Sequence, residues 1–254
     1  LKRFNLRSSS ALNYCFGTYT PRNEMLEWDR KGEQKPIGDF MQKYVDFGNL
    51  HEKSGIAKWI LINKQMPTEI LEDQHNYVLQ NAFNLKGDTV VDLSCTPDGR
   101  FEDTLLEIKC GSLGKKPHEW NKAKIYLAQV SLQQYILNSL GIKIDKTHLL
   151  SWSFNGTRIW EIERNYEFEH YLLGLLEEYG MALINDSKLE DKPKKFEGEH
   201  KIKLIYGRIM DKMLEILEGI KKIDAIPEEK KLDIIRKIII DDLGKQINKL
   251  EERK

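Results

Sequence analysis

The chain has 254 residues, 40% hydrophobic and 31% charged, and its 40 Lys and Arg are balanced by 40 Asp and Glu. That suits a soluble globular protein with one main core, since single cores stop growing near ~250–300 residues. A net charge of zero lacks the basic excess of many nucleic-acid binders, and neither a run of ~20 apolar residues nor a signal-peptide apolar region is visible, so no membrane partner is expected.

In chain order, Arg3 and Arg7 precede Ser8-Ser9-Ser10, and residues 11–15 read as a short helix that the serines can cap. Exposed amides, hydroxyls and guanidiniums can also hold a phosphate; a plain cap with two solvent arginines fits the same residues. Residues 17–38 hold turn formers around a charged helix at 22–31, with no chemistry to assign. Over 39–62, Phe40, Tyr44, Phe47, Ile56, Trp59 and Ile60 recur at helical spacing, which places Glu52 in a helix. Gly48 would let a ligand or another backbone come close, and His51 has no evident partner. Tyr77-Val78-Leu79 reads as a strand leading to a turn at Gly87-Asp88.

Residues 90–110 organise the chain. Val91, Leu93 and Cys95 alternate as in a strand, Pro97-Asp98-Gly99-Arg100 supplies a turn, and 105–109 reads as a second, buried strand, so a hairpin is expected. Glu107 and Lys109, two apart, project from one face, with Asp98 where the first strand enters the turn. Two carboxylates offer oxygen ligands to a hard cation, and an ammonium beside them can stabilise charge developing on a phosphate. An apolar-Glu-apolar-Lys strand is also common in surface hairpins, where such a pair contributes about 0–1 kcal/mol.

A loop at 111–117 leads to a long helix over 120–140, with Tyr126, Gln129 and Gln133 on one flank. Asn155-Gly156 predicts a hairpin joining strands at 148–154 and 157–162, a helix follows at 166–184, and 186–199 is a charged linker. Beyond it, Ile202, Ile205, Ile209, Met213, Ile216 and Ile220 form a helical apolar stripe, and a second runs over 232–250. These two helices would pair with each other or the core, or bind a partner protein or another copy of the chain.

Thr96-Pro97-Asp98-Gly99 followed by Glu107-Ile108-Lys109-Cys110 resembles the PD-(D/E)xK nucleases. Gly48-Asn49-Leu50-His51-Glu52 before it and Tyr126-Leu127-Ala128-Gln129 after it match the Gly-x-x-x-Glu and Tyr-x-x-Gln motifs of the lambda exonuclease and viral alkaline exonuclease branch. The resemblance covers about residues 3–164. It implies Mg²⁺, replaceable by Mn²⁺, on Asp98, Glu107 and the Ile108 carbonyl, with Glu52 assisting through a second metal or its waters. It also implies that Lys109 is the catalytic lysine, with Tyr126 and Gln129 reaching toward it and the scissile phosphate. Arg3 or Arg7, with Ser8 and Ser10, would hold a 5′-phosphate. The activity implied is 5′→3′ digestion of linear double-stranded DNA in viral or phage-type recombination or DNA maturation, beside a single-strand annealing protein. Cleavage of RNA, endonucleolytic cutting, or DNA-end binding by a catalytically weak relative are alternatives on the same residues.

Cys15, Cys95 and Cys110 make neither a disulfide framework nor a metal-ligating pair, which points to a reducing, intracellular compartment and to no iron–sulfur cluster. Because the chain opens on Leu1, a shortened start or a removed targeting segment is left open. Lys115, Lys116, Lys122, Lys124 and the lysines of 188–195 are candidate contacts to a phosphate backbone. The expected fold is α/β, a small mixed sheet flanked by helices, with a nuclease domain at 1–190 and a helical appendage at 191–254.

Overall fold

The computed structural model describes residues 2–209 apart from 34, 71–75, 86–88, 112–115, 154, 191, 192 and 194. Leu1–Arg208 forms one compact unit and Ile209–Lys254 a second, of which all but Ile209 lies outside the described residues. The strands are β1 (Lys2–Arg7), β2 (Glu69–Ile70), β3 (Tyr77–Asn84), β4 (Thr89–Cys95), β5 (Gly99–Phe101), β6 (Thr104–Cys110), β7 (Lys146–Ser153), β8 (Gly156–Glu163) and β9 (Ile202–Ile209). The helices are α1 (Ala11–Phe16), α2 (Arg22–Lys31), α3 (Asp39–Asn63), α4 (Trp120–Ala123), α5 (Leu127–Ser139) and α6 (Tyr166–Asn185).

Among the described residues the strands form two mixed sheets, ordered β1-β4-β3 and β2-β5-β6-β7-β8-β9. In the first, β1 runs parallel and β3 antiparallel to β4, which is buried along its whole length. In the second, β6 and β7 are parallel at the centre, with antiparallel hairpins β5-β6 and β7-β8 beside them. The expected α/β class, mixed sheet flanked by helices, is what the chain adopts, in two sheets among the described residues where a single small one was expected.

Strand alternation decides which helix covers which face. Leu106 and Ile108 of β6 and Leu150 of β7 pack with Ile56 and Trp59 of α3. The intervening Leu149 packs with Ala123 of α4 and Val130 of α5 on the opposite face. The Trp59 indole N–H donates to His148 Nδ1 at 3.0 Å, so α3 is tied to β7 by a buried polar bond as well as by apolar contact. The largest core lies between the three-stranded sheet and α1, α2, α5 and α6, around Leu6, Leu93, Leu132, Ile136, Leu176 and Tyr179.

Several expectations change. The turn predicted at 97–100 is not a turn within one hairpin: β4 and β6 belong to different sheets, residues 96–98 pass between them, and the tight turn is Glu102-Asp103, with Glu102 at φ 51°. Pro-Asp-Gly drew the reading to the stronger turn signature, whereas Glu-Asp lacks the glycine that usually takes the left-handed position. The segment before Ser8 is a strand, not a tail, and Ser10 makes no side-chain cap to α1. The long helix at 120–140 is broken by a 3-10 turn, Lys124–Tyr126. Ile202, Ile205 and Ile209 lie on strand β9 instead of a helix, because the edge of β8 offers them a ladder to complete. The turn at Gly87-Asp88 and the helices expected over 210–254 fall outside the described residues.

The close-approach glycine of α3 is Gly55, not Gly48. A β-carbon at Gly55 would run into the Ile108 Cγ2 methyl, whereas at Gly48 it would meet nothing within 4 Å. Gly55→Ala is therefore expected to destabilise the protein by about 1–3 kcal/mol, as overpacking does. Gly48→Ala should stabilise it by up to about 1 kcal/mol through helix propensity. Denaturant melts of the two variants check this, and equal effects of either sign would contradict the packing of α3 on β6.

Candidate metal centre

The site grows out of β6. Alternation turns Leu106, Ile108 and Cys110 towards α3, and Leu105, Glu107 and Lys109 towards α5. Glu107 is only 2% exposed, so its charge is compensated from the protein. Lys109 Nζ lies 2.5 Å from Oε1, Gln129 Nε2 donates to the same oxygen at 2.7 Å, and Gln133 Nε2 donates to Oε2 at 2.7 Å. Lys109 lies over the Tyr126 ring, 4.9 Å from its centroid, and the His118 ring lies parallel to Tyr126, with centroids 6.1 Å apart and planes at 6°.

Asp98 enters from the segment between the sheets. It is half-buried, its N–H donates to the Leu106 carbonyl at 3.2 Å, and its Oδ2 accepts the Ile108 N–H. These two bonds fasten residue 98 to β6 although β4 itself belongs to the other sheet. Burial and then the Glu107 charge hold the Asp98 carboxyl well above the usual range, with a smaller push from Glu52, while Lys109 and the Ile108 N–H pull it down. Burial alone would lower the Lys109 pKa, but the Glu107 and Asp98 carboxylates raise it above its ordinary value, so Lys109 is a fixed cation.

Glu52 approaches from the α3 side of the sheet, where it and Asp98 add to burial in pushing the Cys110 thiol up to about 12. The structure therefore brings Asp98, Glu107, Lys109, Gln129 and Tyr126 together, with Glu52 within electrostatic range of Asp98. Among the described residues no three His, Cys, Asp or Glu side chains form a metal-ligating group. A cation here would draw on the Asp98 and Glu107 carboxylates and a main-chain oxygen such as the Ile108 carbonyl. That all-oxygen, anionic set fits Mg²⁺ or Mn²⁺ and not a thiolate-seeking metal, and the like charges that raise Asp98 are what a cation would relieve.

The N-terminal candidates separate. Arg3 Nη1 pairs with Asp92 Oδ2 at 3.2 Å and Nη2 with Asn81 Oδ1 at 3.3 Å, so this guanidinium is held in the sheet. Arg7 is exposed and in register with Ser94, at the end of β4 from which the chain passes to Asp98, with Ser8 buried and Ser10 half-buried beyond it. Arg3 is in register with Val90, roughly 13 Å further back along the strand.

Two neighbours of the site, and the surroundings of His51, were not assigned from the sequence. Gln133, four after Gln129 on one flank, was visible as spacing but had no motif to give it a role. His118 belongs to a loop with no periodicity; burial, then Lys122 and Lys109, lowers its pKa, which marks a cationic rim beside the carboxylates. His51 is not without neighbours: its ring lies 4.3 Å from Phe47 and 5.9 Å from Trp152. Lys122 on α4 and Lys124 on the turn that carries Tyr126 are exposed, whereas Lys115 lies outside the described residues.

No protein-family model matches this chain, and no curated protein matches it. Among solved structures it is similar to SSO0001, at 16% identity and a TM-score of 0.43 over 70% of this chain and 75% of that one, a likeness too low to interpret. It is also similar to a phage-related exonuclease from Haemophilus somnus 129PT, at 14% identity and a TM-score of 0.50, over 73% of this chain and 96% of that one. At this identity the likeness is one of fold: the chain adopts a mixed α/β architecture shared with a phage-related exonuclease.

Proposed function

We propose that the chain is a metal-dependent nuclease, a 5′→3′ exonuclease on linear double-stranded DNA in viral or phage-type recombination or DNA maturation, with Mg²⁺ as cofactor and Mn²⁺ as substitute. The observation that carries this reading is the convergence of Asp98, Glu107, Lys109 and Gln129 at β6, and the fold shared with a phage-related exonuclease supports it. When bound, the cation would supply a lowered water pKa and Lewis-acid polarisation of a phosphoryl oxygen. Asp98 and Glu107 would hold it, and Glu52 of α3 adds negative potential at Asp98. Lys109, kept protonated by its two carboxylate neighbours, serves as a fixed positive charge for the phosphate oxygens and not as a proton acceptor. Gln129 orients Glu107, and the Tyr126 ring supports the Lys109 ammonium. Lys122 and Lys124 offer charge to the phosphate backbone despite the neutral whole.

Linear duplex with Mg²⁺, and with EDTA as control, tests the activity. Asp98→Ala and Glu107→Ala are each expected to abolish cleavage while the protein still melts cooperatively; Mg²⁺-dependent cleavage surviving in both would remove this site. Because the Asp98 pKa is raised, the carboxylate is lost as pH falls through a range above the ordinary ~4. The acid limb of the rate profile should lie above that value and move lower as Mg²⁺ rises, since cation and proton compete for one oxygen. A limb insensitive to Mg²⁺ would contradict Asp98 as ligand.

Lys109→Ala should lower the rate by about 10²–10³-fold and DNA affinity only severalfold, because charge develops on the phosphate in the transition state. Equal losses in both would recast Lys109 as a binding residue.

With Arg3 engaged by Asp92 and Asn81, recognition of a 5′-phosphate rests on exposed Arg7 and half-buried Ser10, since Ser8 is buried. Duplex ending in 5′-phosphate should be digested faster than duplex ending in 5′-hydroxyl, and Arg7→Ala should narrow that difference far more than Arg3→Ala. Circular duplex cut as readily as linear would replace the exonuclease reading by an endonuclease, and RNA in the same comparison tests the sugar. A single-strand annealing protein is the partner that this reading calls for.

A further inference from the structure

Two consecutive glutamines of α5 are completely buried, and they differ in what they hold. Gln134 Nε2 donates to Thr147 Oγ1 at 3.0 Å and to the Ile162 carbonyl at 3.4 Å, and so links α5 to β7 and β8. Gln133 Nε2 donates at 2.7 Å to Glu107 Oε2, the oxygen that neither Lys109 nor Gln129 touches.

We propose that Gln133 is a positioning residue that locks the plane of the Glu107 carboxylate and thereby sets the oxygen that a divalent cation uses. The proposal rests on the metal-dependent reading above. A glutamate's terminal torsion is broad and two-fold, so donors on Oε1 alone leave the carboxylate free to swing about that oxygen. A third donor on Oε2 removes the swing. Lys109 keeps 23% of its side-chain exposure and Gln129 is half-buried, so both can also meet a substrate. Gln133 is 0% exposed, meets none, and acts through Glu107.

Packing does not explain a glutamine there. Its turn of α5 carries Leu132, Ile136 and Leu137, all in the apolar core, and the Gln133 Oε1 is buried without a hydrogen-bond partner. An apolar side chain of similar size would not leave that carbonyl unpaired. What such a side chain could not provide is the bond to Oε2. Groups that orient a metal ligand in this way typically change metal affinity or activity by about 10–100-fold when removed.

The test compares wild type, Gln133→Met, Gln133→Asn and Gln134→Met. Mn²⁺ binding is measured by calorimetry, melting is followed by circular dichroism, and the Mn²⁺ concentration giving half-maximal cleavage of linear duplex is recorded. Both Gln133 variants should weaken Mn²⁺ binding about 10–100-fold and shift the half-maximal concentration by the same factor, with much of the rate regained at saturating Mn²⁺. The asparagine, one methylene short of Oε2, keeps the measurement open if the methionine variant does not fold. Gln134→Met should lower the melting temperature and leave Mn²⁺ binding as in wild type. Wild-type Mn²⁺ affinity in the Gln133 variants overturns the positioning role alone, as does an equal loss in Gln134→Met, which would mark general disturbance of α5. A wild-type protein that binds no Mn²⁺ overturns the metal-dependent reading itself, and this proposal with it.

Discussion

A carboxylate buried on the central strand of the larger sheet is the constraint around which this molecule is arranged. Glu107 is nearly solvent-free, and an ionised carboxylate in such a place is tolerated only with charge and hydrogen bonds supplied by its surroundings. Three N–H donors from two elements supply them, one from Lys109 on the same strand and two from α5. The requirement fixes the rotation of α5 about its axis, because Gln129 and Gln133 must both face β6. Leu132, Ile136 and Leu137 then fall on the core side of the same helix.

The second constraint is the alternation of β6. It sends Glu107 and Lys109 to the α5 face and Ile108 and Cys110 to the α3 face, while Glu52 is carried by α3 itself and acts on Cys110 and Asp98. Asp98 joins them, since it bonds the backbone of β6 and feels both charges. The negative potential is thus concentrated at an edge between the two sheets, where the chain leaves β4. A segment crossing between sheets is less regular than a strand and exposes a carboxylate more readily. Close packing of α3 at Gly55 and the Trp59–His148 bond hold Glu52 near that edge.

Charge is also sorted in space. The whole chain is neutral, yet carboxylates gather on β6 and its approach while Lys109, Lys122 and Lys124 lie on the side of Tyr126 and His118. Opposite charges are thus drawn together at β6 although the chain as a whole is balanced. Composition averages over this arrangement, which is why a neutral balance says little about the charge at any one place in the fold.

The sequence by itself determined the elements that local periodicity controls: α2 and α3, the Asn155-Gly156 hairpin, the strand at Tyr77, and the common face of Glu107 and Lys109. Each follows from side-chain period or turn chemistry within a few residues. Tertiary structure alone decided the rest. Whether β4 and β6 pair with each other is a question of partners far away in the chain, and β1 and β7 took those positions. Gly55 outranks Gly48 only because Ile108 lies against it, and Arg3 is engaged only because β4 and β3 bring Asp92 and Asn81 to it. Gln133 and Gln134 are the same residue at adjacent positions, and one serves a carboxylate while the other ties a helix to its sheet. A turn of about 100° per residue separates them, and only the packed surroundings give each direction its partner.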